Sequence, residues 1–317
     1  GGQERHCSVS IGILVFGEPR EAPLELLRKA DLTLNQAKAA GPGSILFFEP
    51  QMLDQVSSRA RLQRSLREAL HKESFALHYQ PQLSEGGAVV GVEALVRWHL
   101  QGHGMVSPAE FIPLAEKTGL ILPLGRWILR TACMQLSAWA RAPARRHLTM
   151  AVNVSAGQFQ QDDFVQQVRE VLAETGAPAG QLKIELTESL MLHQIEDVIA
   201  RMKALRAVGV RFSLDDFGTG FSSLAYLKRL PLQQLKIDQG FVRDILQDPN
   251  DAAIAQTVIA LGHSLGLEVI AEGVETAAQR DALAAWGCHL YQGYLFSQPL
   301  PGAALETFLA QHPAAAG

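Results

Sequence analysis

The segments QLKIELTES (181–189), VRFSLDDFG (210–218) and QLKIDQ (234–239) decide the fold of this chain. Each is a short apolar run that closes on charged residues: Glu185 and Glu188, then Asp215 and Asp216, then Lys236 and Asp238. Helix-length segments with apolar periodicity, VIARMKALRAVG (198–209) and SLAYLKRL (223–230), separate them. Strand-length apolar runs alternating with helices are expected of a parallel sheet that is covered on both faces.

Outward from this stretch the pattern continues. FALHYQP (75–81), VVGVEALVRW (89–98) and HLTMAVNVS (147–155) precede it, and LEVIAEGV (267–274) and HLYQGYLF (289–296) follow, which makes eight strands. Helical segments such as CMQLSAWARA, FVQQVREVLAETG, AAIAQTVIALGHSLG and DALAAWG lie between them. Eight strands alternating with helices over roughly 250 residues predict a TIM-like (β/α)8 barrel. Only SEGGA (84–88) joins the first two strands, a length that suits a hairpin and not a parallel crossover, so the first strand is expected to run antiparallel. Ser107-Pro108-Ala109-Glu110 reads as a capping box with proline at the first helical position.

Upstream, residues 1–50 read as strand (HCSVSIGIL), helix (PLELLRKADLTLNQAKAAG) and strand (SILFFE), too little for a domain of its own. Leu53, Val56, Leu62, Leu66 and Leu70 give residues 51–72 the spacing of a linker helix, and the barrel is expected over 73–313. The formal net charge of −4 argues against a coat for DNA or RNA, which needs a basic face. Cys7, Cys133 and Cys288 are scattered and form no CxxC, as expected of thiols in a reducing compartment. The most apolar stretch, residues 119–132, is interrupted by Arg126 and Arg130, so no membrane span is expected, no signal peptide is read, and a cytoplasmic location follows as the expectation.

The strand ends carry the chemistry. Successive runs end on Glu93, Asn153, Glu185 with Glu188, Asp215 with Asp216, Lys236 with Asp238, Glu272 with Glu275, and Gln292. A barrel gathers such positions into one mouth. One buried carboxylate at a strand end is as well explained by a structural acid; seven strands ending this way call for divalent cations, and oxygen-only donors favour Mg²⁺ or Mn²⁺. Adjacent aspartates point to opposite faces of a regular strand, so the strand must end or bend at Asp215-Asp216 for both to reach the mouth. One aspartate would then bridge two metal ions, as in hydrolysis of a phosphodiester. Two alternatives stand beside this: Asp216 as a cap of the next helix, and Lys236 as a core lysine paired to an acid.

EALVRW, NVS, ELTES, DDFGTGFSSL, KID, AEGVE and QGY, in that order, resemble the EAL-domain phosphodiesterases of bacterial second-messenger signalling, over about residues 65–310. The resemblance implies metal-dependent hydrolysis of cyclic di-GMP to linear pGpG. It implies that Glu93, Asn153, Glu185 and Asp215 hold one metal and Asp215, Asp216 and Glu272 the other, with Lys236 orienting the attacking water. Glu275 and Gln292 support the site. Gln80, Leu95, Arg97 and Asp238, with Gln292, match substrate-contacting positions. Glu188 matches the anchor of a mobile loop formed by DFGTGFSSL, with Gly218 and Gly220 as its flexible positions and Phe221 where tyrosine is common, and the likeness implies a homodimer. SVSIGI and ADLTLNQAKAAG resemble the end of a GGDEF domain, although Asn35 and Pro42-Gly43 depart from its pattern and its signature is absent. Alternatives are a catalytically inactive cyclic di-GMP receptor, or another metal-dependent barrel that stabilises an enolate between acids and a lysine.

Overall fold

The structure is a computed structural model that describes residues 8–17, 21–72, 74–188, 190, 195–218 and 224–312. Cys7 and the loop residues Gly220, Phe221, Ser222 and Ser223 lie outside the described residues. The chain divides after Glu68 into two compact units.

In the first unit, β1 (Ile11–Ile13), α1 (Pro23–Ala39) and β2 (Ile45–Phe47) form a right-sized βαβ unit, followed by α2 (Pro50–Ala69). The two strands are parallel, with Ile11 opposite Ile45. Pro23 opens α1, as its sequence position predicts. Gly12 is required here, because a Cβ would overlap the backbone of Leu34 on α1.

The second unit is the barrel. Its elements are β3 (Phe75–Ser84), β4 (Val89–Leu100), β5 (Gly104–Val106), α3 (Pro108–Thr118), α4 (Ile121–Ala140), β6 (Thr149–Asn153), α5 (Ala156–Phe159), α6 (Phe164–Thr175), β7 (Leu182–Thr187), α7 (Ile195–Arg206), β8 (Arg211–Phe217), α8 (Leu224–Leu227), β9 (Gln234–Ile237), α9 (Gln239–Arg243), α10 (Pro249–Leu265), β10 (Glu268–Ala271), α11 (Ala277–Ala285), β11 (Leu290–Tyr291), β12 (Leu300–Pro301) and α12 (Gly302–Gln311). Strands β3, β4 and β6 to β11 close on themselves and coincide with the eight expected runs. β3 pairs antiparallel with β4 on one side and β11 on the other; β4 and β6 through β11 run parallel. The short β5 and β12 add antiparallel pairs outside the ring.

Alternation along the strands divides the core into two zones. On β7, Leu182, Ile184 and Leu186 face the helical layer, whereas Lys183 and Glu185 reach lumen partners. Outside the sheet, Phe75, Trp98, Phe111 and Trp127 pack beneath α3 and α4, with Trp98 and Phe111 edge-on at 5.5 Å. Cys133 and Cys288 are buried free thiols, and burial pushes both pKa values up to about 12. No helix of the described residues is long and apolar enough to cross a membrane.

Two local expectations are corrected. The Ser107 side chain makes no capping bond, and the Glu110 N–H donates to the Ser107 carbonyl at 2.9 Å. The capping box of the barrel is instead Thr276–Gln279. It starts α11 at Ala277, upstream of the helix expected at DALAAWG (281–287).

Beyond β11, Gly293 lies against Val274, where any Cβ would overlap the Val274 backbone. Backbone bonds from Val274 N to Gln292 O (3.1 Å) and from Leu295 N to Val274 O (3.0 Å) fasten this crossing. Gly293→Ala is therefore expected to destabilise the barrel by more than about 2 kcal/mol, read as a lower urea midpoint. An unchanged midpoint would show that the crossing yields easily.

Candidate active site

The strand ends converge as the sequence requires. Glu93 (β4), Asn153 (β6), Glu185 (β7), Asp215 (β8) and Lys236 (β9) stand on neighbouring strands, Glu272 directly follows β10, and Gln292 directly follows β11. Lys236 is fully buried at the centre. Its Nζ lies 2.5 Å from Glu272, 2.9 Å from Glu185, 3.1 Å from Asp215 and 3.7 Å from Glu93. The core-lysine reading thus describes its contacts here, but the lysine pairs with four acids at once and not with one.

The second aspartate is delivered by a break in β8. The register against β9 slips between Leu214 and Phe217, and Asp216 takes φ +52°, the single positive φ of a non-glycine among the described residues. Such a conformation costs roughly 1–3 kcal/mol. Asp216 N donates to Asp215 Oδ1 at 3.0 Å, so the two carboxylates share the mouth. Oxygens of Asp215, Asp216 and Glu272 all lie within 4.8 Å of one another. The described part of α8 starts at Leu224.

A chain of amides fixes Glu93. Asn153 Nδ2 and Gln292 Nε2 each donate to it at 2.5 Å. Gln292 Nε2 also reaches Gln80 Oε1 at 3.0 Å, and its own oxygen accepts from Gln82 Nε2 at 2.9 Å. Gln82 was not among the expected site residues. Its signal was the two-residue spacing of Gln80-Pro81-Gln82, which puts both amides on the lumen face of β3.

The electrostatics follow from burial and crowding. Burial alone would raise Glu93, yet the Lys236 charge and the bonds from Gln292 and Asn153 hold its carboxyl below the usual range. Burial pushes Glu185 up to about 8 and drives Glu272 well above the carboxylate range, against the pull of Lys236. Burial and the adjacent Asp215 raise Asp216 to about 6. Burial works against the charge on Lys236, but the four acids around it raise its pKa well above that of a free lysine.

One ammonium among five acids leaves negative charge in excess, and Glu185 Oε1 is buried without a hydrogen-bond partner. An oxygen-only donor set with an orphaned, buried carboxylate oxygen fits divalent cations of the Mg²⁺ or Mn²⁺ type.

The mouth opens into a cleft of about 270 Å³ lined by Gln80, Glu93, Leu95, Arg97, Asp215, Glu272, Glu275, Gln292 and Tyr294. Leu95 and Arg97 also border an apolar hollow of about 290 Å³ walled by Ile112, Ile121 and Ile128. Tyr294, 59% exposed, is a lining residue the sequence reading passed over. Glu275 is exposed at the rim of the same cleft. Asp238 Oδ1 accepts from Gly240 N at 2.8 Å as the N-cap of α9, and its carboxyl shares a hydrogen bond with Asp216. Glu188 is buried, and neither of its oxygens has a hydrogen-bond partner among the described residues.

A pH dependence follows. Carboxyls whose folded pKa is raised contribute stability below their unfolded values and lose it as pH rises through the folded ones. In excess chelator the urea midpoint should therefore fall from pH 5 to pH 8.5, as Asp216 (about 6) and then Glu185 (about 8) ionise. Saturating Mg²⁺ should remove the decline. A midpoint flat with pH in chelator would contradict the crowding.

Comparison with known proteins gives the family. Residues 63–299 match the EAL domain family. The bifunctional diguanylate cyclase/cyclic di-GMP phosphodiesterase MucR of Pseudomonas aeruginosa is 41% identical over 308 residues, covering 97% of this chain and 45% of MucR. The cyclic di-GMP phosphodiesterase NbdA of the same organism is 43% identical over 309 residues, covering 97% of this chain and 39% of NbdA. The chain thus spans less than half the length of these relatives. The PaMucR phosphodiesterase in its c-di-GMP complex superposes with a TM-score of 0.75 at 43% identity, over 77% of this chain and 99% of that one. The EAL domain of Mycobacterium smegmatis DcpA gives 0.65 at 36% identity, over 77% and 99%. With the ordered motifs, the closed barrel and these relatives in agreement, the chain belongs to the EAL domain family.

Proposed function

We propose that this chain hydrolyses cyclic di-GMP to linear pGpG with two divalent cations, Mg²⁺ or Mn²⁺. The observation that carries the reading is the Asp215, Asp216 and Glu272 cluster sharing the mouth with Lys236, Glu185 and Glu93. Glu93, Asn153, Glu185 and Asp215 would hold one ion, and Asp215, Asp216 and Glu272 the other. When bound, the ions supply the Lewis acidity that eases deprotonation of a water and offsets phosphate charge.

The chain's own groups do the rest. Lys236 places a fixed positive charge beside the attacking water and the developing phosphorane charge. Gln292 and Asn153 hold the Glu93 carboxylate in one orientation. Arg97 offers a planar two-donor fork for phosphate or guanine at the cleft wall, where Gln80 and Leu95 add contact surface. Glu275 closes the rim, and Asp238 acts through Asp216. Glu188, with two buried acceptors, is suited to fasten the loop that follows Asp216.

The MucR and NbdA names and the c-di-GMP complex of PaMucR support this substrate. An inactive receptor is disfavoured, because each expected acid, Asn153 and Lys236 are in place. We further propose that residues 1–50 are the end of a GGDEF-like domain, 51–72 a linker helix and 73–313 the phosphodiesterase barrel, acting as a homodimer in the cytoplasm.

Chromatography of cyclic di-GMP incubated with the protein and Mg²⁺ should show pGpG, and excess chelator should abolish it; unchanged substrate, bound but not cleaved, would favour the receptor. Glu93→Ala should abolish turnover, and near-normal hydrolysis at saturating Mg²⁺ would remove its role. Lys236→Ala should retain substrate binding while the rate drops by orders of magnitude, each tenfold being about 1.4 kcal/mol; intact rate with lost binding would overturn that assignment.

A further inference from the structure

Beneath the acidic ring the lumen holds a second polar tier. Lys183 lies two residues before Glu185 on β7, Ser213 two before Asp215 on β8, and Gln234 two before Lys236 on β9. A two-residue step keeps a side chain on the same face of its strand, about 6–7 Å further down the lumen. All three side chains are buried, Lys183 with 4% exposure. Lys183 Nζ donates to Gln234 Oε1 at 2.8 Å, and Ser213 Oγ reaches the same oxygen at 3.3 Å.

Two features set Lys183 apart from ordinary core packing. No acid of the described residues forms an ion pair with it; burial lowers its pKa, and the charges of Glu185 and Glu268 act against that. Glu185 in the tier above, where five acids face the one ammonium of Lys236, and Glu268 at the start of β10 supply that charge. Hydrogen bonding alone does not require a lysine here, because Ser213 already serves the Gln234 oxygen.

We infer that Lys183 is a positioning residue that sets how tightly the mouth holds divalent cations. Its charge lies under the acids, so it draws them together when no cation is bound and opposes the entry of one. It shifts metal affinity without touching metal, water or substrate. The inference rests on the two-metal reading above.

The test is calorimetric titration of Mg²⁺ and Mn²⁺ into the metal-stripped full chain and its Lys183→Gln, Lys183→Met and Lys183→Arg variants. Both neutral variants should bind the ions more tightly, on the order of tenfold, and Lys183→Arg should match the wild type. In chelator the neutral variants should melt below the wild type, and saturating Mg²⁺ should close that gap. Unchanged or weaker affinity in Lys183→Gln with an intact near-ultraviolet spectrum would overturn the inference. So would wild-type affinity in Lys183→Gln beside altered affinity in Lys183→Met, which would assign the effect to hydrogen bonding. Absence of Mg²⁺ and Mn²⁺ binding in the wild type itself would overturn the two-metal reading, a result distinct from equal affinities across the series.

Discussion

Crowded negative charge in a dry lumen is the constraint on which the rest of the structure depends. Five carboxylates meet at the barrel mouth, and one ammonium, that of Lys236, pairs with four of them. Repulsion between like charges grows as water is excluded. The surroundings answer with amide donors on Glu93, a raised proton affinity at Glu185 and Glu272, and a strand that yields its regular geometry at Asp216. A barrel suits such a demand, because its strand ends are fixed by backbone pairing that side-chain repulsion cannot easily undo.

The break in β8 and the amide chain do complementary work. The break brings two adjacent aspartates to the same side, which an ideal strand forbids. The chain from Gln82 through Gln292 to Glu93 ties the first strand of the barrel to the last and to the second, across the seam where the ring closes. Closure of the sheet and orientation of a site carboxylate therefore share the same side chains.

Much of this was legible in the sequence, for identifiable reasons. The eight strands announced themselves because apolar runs bounded by charges alternate with helical periodicity, and the five-residue link SEGGA fixed the direction of the first. Glu93, Glu185, Asp215 and Lys236 were visible as charges where an apolar run should continue. Gln82 was not, because a neutral amide inside a strand breaks no pattern. The failed cap at Ser107 shows the limit of motif reading: residue types were right, but the side chain makes no capping bond. Asp238 also caps α9, a local role that its position at a strand end did not announce.

The reversal of β3 has a mechanical consequence. Phe75, its first residue, pairs with Trp98 near the far end of β4, so β3 begins on the side of the ring where the parallel strands finish. In an all-parallel barrel the polypeptide would enter through the opposite floor. Here the leading thread of the barrel is stitched to its rim, and five residues along it Gln80 joins the seam it shares with Gln292.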